Sequence, residues 1–570
     1  MEKNKFFQLI ISLMFLLLLL GLFKLQIIQG AKYRVLSDRN TIRLLPRAGA
    51  RGKILDCNGE VIVDNRLFYD LVILPRQLKE PEKMLGEIAR ILGIETKVLI
   101  SLFNKHRFST FPLTFAENIS IKEAIALEEL KNSIPAIIIQ PCPKRDYPYG
   151  NLACHLLGYI GEIDRWRLTK LAEYGYMTKD LVGFGGVEEK YDYYLRQEEG
   201  GSSVVVDNVG RYVRLLGFRP PKNGKDLRLT IDLRIQKIVE QFLETHKGSV
   251  IIMDPHSGAI KAMASSPGFN AEVFTNRQQL LIRELFNDQQ APLLNRAISA
   301  AYPAGSLFKL IVATAALETG KINLNTSYNC QGSIYIGRQK FGCWDTHHEE
   351  NLLDAIAHSC NVFFYRVGIL TQPQTIHDYA LKFGLAKVTG IDLPYEISGF
   401  IPSPIWKKIY KFKKWYDGDT ANLSIGQAEV MVTPLQMASL LAVFANGGYL
   451  VSPYITESVD GKDIASYRRK RIKTGINTDS LELINRGMRR AISDPQGTGF
   501  VLSDSGVEIA GKTGTAQAPP GEAHGWFFGF FPYKKPSYVI CVFLERSGAG
   551  YYSSLLARSI IVEMIKESIF

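Results

Sequence analysis

The sequence predicts a multi-domain α+β protein behind a single N-terminal membrane helix. Three observations carry this. The chain has 570 residues, too many for one hydrophobic core, so two or three folded units are expected. Residues Phe6 to Phe23 form a run of 18 positions without a charge. Past residue 225, strand patterns lie at both ends of the remaining chain with helical patterns between them. That order suggests one antiparallel sheet completed by the two ends, with helices on its faces.

At about 1.5 Å per residue the apolar run covers roughly 27 Å, close to the hydrocarbon thickness of a bilayer. It can extend past a snorkelling Lys24 to Ile28. A cleaved signal peptide would have a shorter apolar region and a small-x-small site behind it. Gln26-Ile27-Ile28-Gln29 follows instead, so an uncleaved anchor is the reading. Lys3 and Lys5 flank one side, and Lys24, Lys32 and Arg34 the other. Charge counting therefore does not orient the helix, but a large domain crosses largely regardless of its charge. The expectation is a cytoplasmic tail at 1–5, an anchor at 6–28, and everything after about residue 30 outside the cytoplasm.

Residues 50–65 read as a hairpin, with Asn58-Gly59 supplying a type I′ turn. Residues 81–135 carry helical periodicity. Arg219-Pro220-Pro221-Lys222-Asn223-Gly224 is the strongest break, which places domains at 29–224 and 225–570. A second hairpin spans Ser249–Ser265 and turns at Asp254-Pro255-His256-Ser257-Gly258. Helical patterns run to about residue 450. Strands follow near 507–510, 526–531 and 538–544, and a helix begun at Ser554 closes the chain.

Hydrophobic residues make up 46% and charged residues 22%, which excludes wholesale disorder. The net charge of +12 reads as a basic surface. No zinc-finger spacing or basic-aromatic RNA-binding module is present, so nucleic acid is not an expected partner. Seven cysteines are too few, and odd in number, for a disulfide scaffold.

Three short motifs carry chemistry. Ser306-Leu307-Phe308-Lys309 follows Tyr302-Pro303-Ala304-Gly305 and opens a run ending at Gly320. Ser306 then lies in a first helical turn with Lys309 one turn later on the same face. A serine hydroxyl needs a base, and a lysine becomes one when desolvation lowers its pKa. Ser359-Cys360-Asn361 begins another helical run, where a hydroxyl can relay a proton and an amide can hold a peptide group; helix capping is the alternative. Lys512-Thr513-Gly514 follows the strand-like Val507–Ala510. Lysine and a hydroxyl on a strand edge can bind a carboxylate, and the glycine lets an extended peptide approach. Ser327-Tyr328-Asn329 and Lys473-Thr474-Gly475 repeat two of the patterns, but in settings that read as loop and turn. Singly each motif is weak. In this order, with 53 residues from Ser306 to Ser359 and 151 from Asn361 to Lys512, they match the trio of penicillin-binding proteins and class A β-lactamases.

From about Arg39 to Glu563 the chain resembles the class B penicillin-binding proteins, and most closely the penicillin-binding protein 2 group of cell elongation. Further resembling segments are Arg51–Asp56, Gly158–Glu162, GFGGVEEKYDYYLR from Gly183, LTIDLRIQ from Leu229, IGQAEVMVTPLQMA from Ile425 and GKTGTAQ from Gly511. Cys57, Gln197 and Ala428 depart from the pattern, outside the three boxes. The resemblance implies an anchored pedestal of the dimerisation type and a serine transpeptidase domain in the periplasm. Ser306 would attack the D-Ala-D-Ala carbonyl of one stem peptide, D-Ala would leave, and an amine of a neighbouring stem would resolve the acyl-enzyme. Lys309 would be the base, Ser359 the relay, Asn361 a peptide ligand, and Lys512 and Thr513 the carboxylate site. Gly514 would admit the peptide. The N–H groups of Ser306 and Thr515 would form the oxyanion hole. β-Lactams would acylate Ser306, and the implied partner is a lipid-II polymerase of the shape-elongation-division-sporulation type.

Cys330, Cys343, His347 (or His348) and Cys360 offer three sulfurs and one imidazole, a tetrahedral Zn²⁺ set by donor type. A disulfide or free thiols are the other readings. The resemblance adds that some elongation-type members place zinc here, with aspartates at the positions of Cys330 and Cys343. Cys142 and Cys154 could also pair. His524 reads as a loop residue. The competing functions are a D,D-carboxypeptidase using water as acceptor, a β-lactamase, for which no deacylating base is visible, a membrane-bound β-lactam sensor, and a scaffold with a decayed site.

Overall fold

A computed structural model of the chain describes residues 2–34, 42–109, 112–206, 212–467 and 470–570. Met1 and Arg39 lie outside the described residues. The apolar run forms the helix Glu2–Phe23, continued as a π-turn over Lys24–Ile28. Among the described residues, Lys5–Ile28 is the one helical span long and apolar enough to cross a membrane.

The chain divides into two units. The first comprises Met1–Gly52, Asn65–Arg145 and Arg196–Gly224. It holds an antiparallel sheet ordered Ile42–Arg47, Gly200–Val206, Tyr212–Arg219. It also holds the later part of strand Val61–Ile73, which pairs with Leu113–Ile119 and Ile137–Asp146. Helices Pro81–Leu92, Thr96–His106 and Ile121–Leu130 close a core around Leu71, Leu85, Ile88 and Leu127. Gly93 at φ +65 ends the first of these, and a Ser120–Glu123 capping box starts the last. The helical reading of 81–135 therefore misses strand Leu113–Ile119. Its two buried positions, Phe115 and Ile119, are too sparse to show alternation.

The second unit comprises Lys53–Asp64, Asp146–Leu195 and Lys225–Phe570. Its centre is a five-stranded antiparallel sheet ordered Ile260–Ser266, Gly248–Met253, Tyr538–Leu544, His524–Phe531, Ala510–Ala516. The strands are apolar on both faces, as a sheet covered twice requires. Val250, Ile252, Ile540 and Val542 face a core shared with helices Leu233–Leu243 and Gly550–Lys566. Ile251, Met253, Cys541 and Phe543 face the larger core that contains helices Lys309–Glu318 and Pro434–Ala445. Ala510–Ala516 is left as an edge.

Several expectations change in detail. The turn after Ile54-Leu55 is not type I′: only Gly59 takes positive φ (+90), and its N–H donates to the Asp56 carbonyl at 3.2 Å. Asp56 Oδ1 caps the same turn by accepting from the N–H groups of Asn58 and Glu60, so side-chain capping replaces the second left-handed residue. The Lys512 strand begins at Ala510 and includes the motif itself. Two small antiparallel strand pairs interrupt the helical region: Ser327–Cys330 with His348–Asn351, and between them the hairpin Ser333–Ile336 with Gln339–Gly342; Ser327-Tyr328-Asn329 is strand, not loop. His524 is a buried strand residue whose Nδ1 accepts from the Arg546 N–H at 3.0 Å. The seven cysteines are all free, Cys142 and Cys154 included.

Candidate active site

Ser306 sits on a 3₁₀ turn, Gly305–Phe308, that leads into helix Lys309–Glu318. The turn is pressed against two neighbours at distances only glycine allows. Gly305 has φ +55, and a Cβ on it would lie 2.7 Å from the Thr515 carbonyl oxygen. Gly426 has φ +66, and its Cβ would lie 2.3 Å from the Gly305 oxygen. Gly305 N–H donates to the Gly426 carbonyl at 2.9 Å. A Cβ on Gly514 would come within 3.0 Å of Leu307. Trp526 Nε1 adds a 3.0 Å bond to the Pro303 carbonyl. These contacts place the Ser306 turn beside the edge strand.

Lys309 is fully buried. Its Nζ donates to the Ser359 carbonyl at 2.6 Å, to Asn361 Oδ1 at 2.6 Å and to Ser359 Oγ at 3.2 Å. Burial pushes its pKa down to about 8, against an opposing pull from Cys343 and Cys360. Ser359 is buried at φ +58, a left-handed conformation that turns its carbonyl and hydroxyl toward one ammonium. Cys360 caps helix Asn361–Thr371 by accepting from the Phe363 N–H. Neither Ser359 nor Asn361 is the cap.

The third motif lies on the strand Ala510–Ala516, in register Lys512 with Phe528 and Gly514 with Trp526. Lys512 is fully buried, and its pKa falls well below the usual lysine value, from burial first and the nearby Lys309 charge second. Its Nζ donates to the Thr513 carbonyl at 3.0 Å, and Thr513 Oγ1 donates to Thr498 Oγ1 at 2.8 Å. Thr515 is exposed on the strand. Lys473-Thr474-Gly475, by contrast, begins at the last residue of the short strand Arg471–Lys473, whose three residues are all exposed.

Thr498 was not visible in the sequence. It donates to the Ala357 carbonyl at 3.2 Å, linking the turn before Ser359 to Thr513, and no spacing marks it. Gly342 is another: its carbonyl receives Asn361 Nδ2 at 3.3 Å and the Tyr365 hydroxyl at 3.1 Å.

Cys330, Cys343, His347 and Cys360 converge, with ligand atoms all within 4.8 Å of one another. His347 Nδ1 lies 3.6 Å from Cys330 Sγ and 3.5 Å from Cys343 Sγ. His348 is instead an exposed strand residue paired with Cys330. The Cys343 thiol is held well below its ordinary pKa, chiefly by the Cys360 thiol donating to it, with help from His347 and the Asn361 N–H. Three sulfurs and an inward imidazole nitrogen fit a tetrahedral soft-donor site.

The penicillin-binding protein transpeptidase domain family matches residues 248–566, and the penicillin-binding protein dimerisation domain family matches 46–229. The chain is 31% identical, over 95% of its length and 91% of the relative's, to the peptidoglycan D,D-transpeptidase MrdA of Escherichia coli strain K12. Its structure is similar, at TM-score 0.81 and 26% identity, to penicillin-binding protein 2 of Helicobacter pylori solved in complex with MreC, covering 93% of this chain and 99% of that one. A chain of a peptidoglycan synthase complex matches at TM-score 0.74 and 28% identity, covering 99% and 98%. The paired family domains and the relatives that span nearly the whole chain make this protein a class B penicillin-binding protein of the penicillin-binding protein 2 type.

Proposed function

We propose that the chain is a peptidoglycan D,D-transpeptidase that cross-links stem peptides during cell-wall elongation through a Ser306 acyl-enzyme. The observation that carries this reading is the buried Lys309 Nζ, held by Ser359 and Asn361 one turn after Ser306. In the amine form Lys309 takes the Ser306 hydroxyl proton as Oγ bonds to the penultimate D-Ala carbonyl carbon. Collapse of the tetrahedral adduct breaks the peptide bond, and the leaving D-Ala amine receives a proton through Ser359. An acceptor amine then attacks the ester, gives up its proton to the same base, and regenerates Ser306. The donor strand lies along Ala510–Ala516, an edge with free ladder positions. Lys512 and Thr513 hold its terminal carboxylate, Gly514 admits its backbone, and Asn361 binds its peptide group. The Ser306 and Thr515 N–H groups stabilise the oxyanion, a contribution of about 2.7–4 kcal/mol per donor.

Cys330, Cys343, His347 and Cys360 would hold one zinc ion whose contribution is structural, bracing the Ser359–Asn361 turn. In this reading residues 1–5 are cytoplasmic, 6–28 cross the membrane, 29–224 form the pedestal, and the transpeptidase domain of 225–570 is periplasmic. The pedestal would meet a lipid-II polymerase and an MreC-like partner, given the assemblies in which the similar proteins were solved.

Fluorescent penicillin should label the full chain and fail to label Ser306→Ala. Incubation with a lipid-linked peptidoglycan polymer should give cross-linked dimers of stem peptides. Release of D-Ala without cross-links would assign a D,D-carboxypeptidase instead.

A further inference from the structure

Residues 404–416 make an excursion that the proposed chemistry leaves unused. Helix Pro404–Tyr410, capped by Ser403 Oγ on the Trp406 N–H, and the loop behind it carry five lysines and five aromatic rings in 13 positions. Folded chains rarely leave this combination in solvent. Phe412 is 89% exposed, Tyr410 70% and Tyr416 63%. Phe412 is also held at φ +55, a strained backbone for a bulky residue that holds the ring outward. Lys408, Lys411, Lys413 and Lys414 are exposed. None of the four forms an ion pair among the described residues, whereas Lys407 is neutralised by Asp419.

The base of the excursion is packed, not loose. Trp406 meets Phe400 with centroids 4.8 Å apart, and Trp415 Nε1 donates to Thr420 Oγ1 at 2.8 Å. It is also continuous with the candidate site. The segment runs into helix Asp417–Ser424, where Phe341 clusters with Ala421 and Tyr365 and lies beside Gly418. Phe341 precedes Gly342, the residue whose carbonyl receives Asn361 Nδ2.

We propose that this patch docks the uncross-linked glycan–peptide polymer beside the site. Its unpaired lysines face the carboxylates of the stem peptides, and its exposed rings lie on sugar faces; long-range attraction raises the local concentration of an anionic polymer. The inference rests on the transpeptidase reading above. A lipid surface also takes lysines and rings. The polymer is the better fit because the patch is tied to the same hairpin as Asn361, so a strand held there offers its stems to Ser306.

The test uses the full chain in nanodiscs of zwitterionic lipid, with fluorescent soluble uncross-linked peptidoglycan strands bearing pentapeptide stems as the probe. K408Q/K411Q/K413Q/K414Q should weaken strand binding by at least about tenfold and flatten its salt dependence. The corresponding Lys→Arg variant should restore both, and F412A should weaken binding without changing the salt slope. Labelling by fluorescent penicillin, which lacks the glycan and the stem carboxylates the patch would bind, should proceed at the wild-type rate and shows that each variant is folded. Strand binding unchanged in the glutamine variant overturns the proposal. So does quenching of Trp406 and Trp415 emission by brominated anionic lipid, which would assign the patch to the membrane. Failure of the wild-type chain to take penicillin overturns the transpeptidase reading instead, while lysine-dependent strand binding would still support the patch.

Discussion

Lys309 Nζ donates a 2.6 Å hydrogen bond to the backbone carbonyl of Ser359, a residue held at φ +58. The lysine is thus held by main chain and by Asn361, and the Ser359 hydroxyl, at 3.2 Å, is the longest of its three contacts; the proposed mechanism gives that hydroxyl the proton transfer. Ser359→Ala should therefore slow acylation by about 10²-fold while leaving the fold intact. Stopped-flow acylation by penicillin beside a thermal melt checks this. An unchanged rate would remove Ser359 from the proton path.

Gly305 seats the Ser306 turn against the edge strand. Gly305→Ala places a methyl 2.7 Å from the Thr515 carbonyl oxygen at φ +55, so the turn must move off the edge strand. Displacement of this size should cost about 10²-fold or more in acylation. Penicillin labelling of a folded, full-length variant measures it.

Ala428 occupies a left-handed position, φ +60, on an exposed loop. The backbone cost of about 1–2 kcal/mol for alanine there exceeds the entropy that glycine loses on folding, about 0.5–1 kcal/mol. Ala428→Gly should raise stability by about 0.5–1 kcal/mol with activity unchanged, read from denaturant midpoints at constant slope.

Glu240 is half-buried beside the Ala153 N–H and Gln236 Nε2, both of which donate to its Oε1. Burial raises its pKa to about 7 from the ordinary 4.5, against the lowering effect of those two bonds. The fold thus prefers the neutral acid. Its contribution is complete below pH about 4.5 and is lost as pH rises through 7, a change of up to about 3 kcal/mol at 1.4 kcal/mol per unit. Glu240→Gln keeps a carbonyl acceptor and should abolish this slope, melting higher than wild type at pH 8 and at nearly the same temperature at pH 4.5. Parallel pH profiles for the two proteins would refute it.

Zinc bound by the Cys330–Cys343–His347–Cys360 cluster should appear at about one ion per chain in protein purified without a histidine tag. Chelation should lower the melting temperature, and Cys360→Ser should lose both the metal and the chelator effect. Metal-free protein that melts unchanged with chelator would leave the four residues as free side chains.

The chemistry was legible in the sequence because each box is local. Ser306 and Lys309 are one turn apart, Ser359 and Asn361 two positions apart, and Lys512, Thr513 and Gly514 contiguous. Their order along the chain and the apolar N-terminal helix needed no coordinates. The strand pairs of 327–351 were not legible, because four-residue strands in polar sequence bury too little surface to show a period. The turn at Asp56 departs from the Asn-Gly expectation because a side-chain cap takes the place of the left-handed pair.

By itself the sequence determined the apolar N-terminal helix, the α+β class and the three candidate motifs, since propensity and periodicity act over a few neighbouring residues. Only the tertiary structure decided that Gly426 seats the Ser306 turn, that Thr498 bridges Ala357 to Thr513, and that Cys330 meets Cys360. These are contacts between residues far apart in sequence, and which partners meet is settled by how the helices pack on the sheet, not by any local preference.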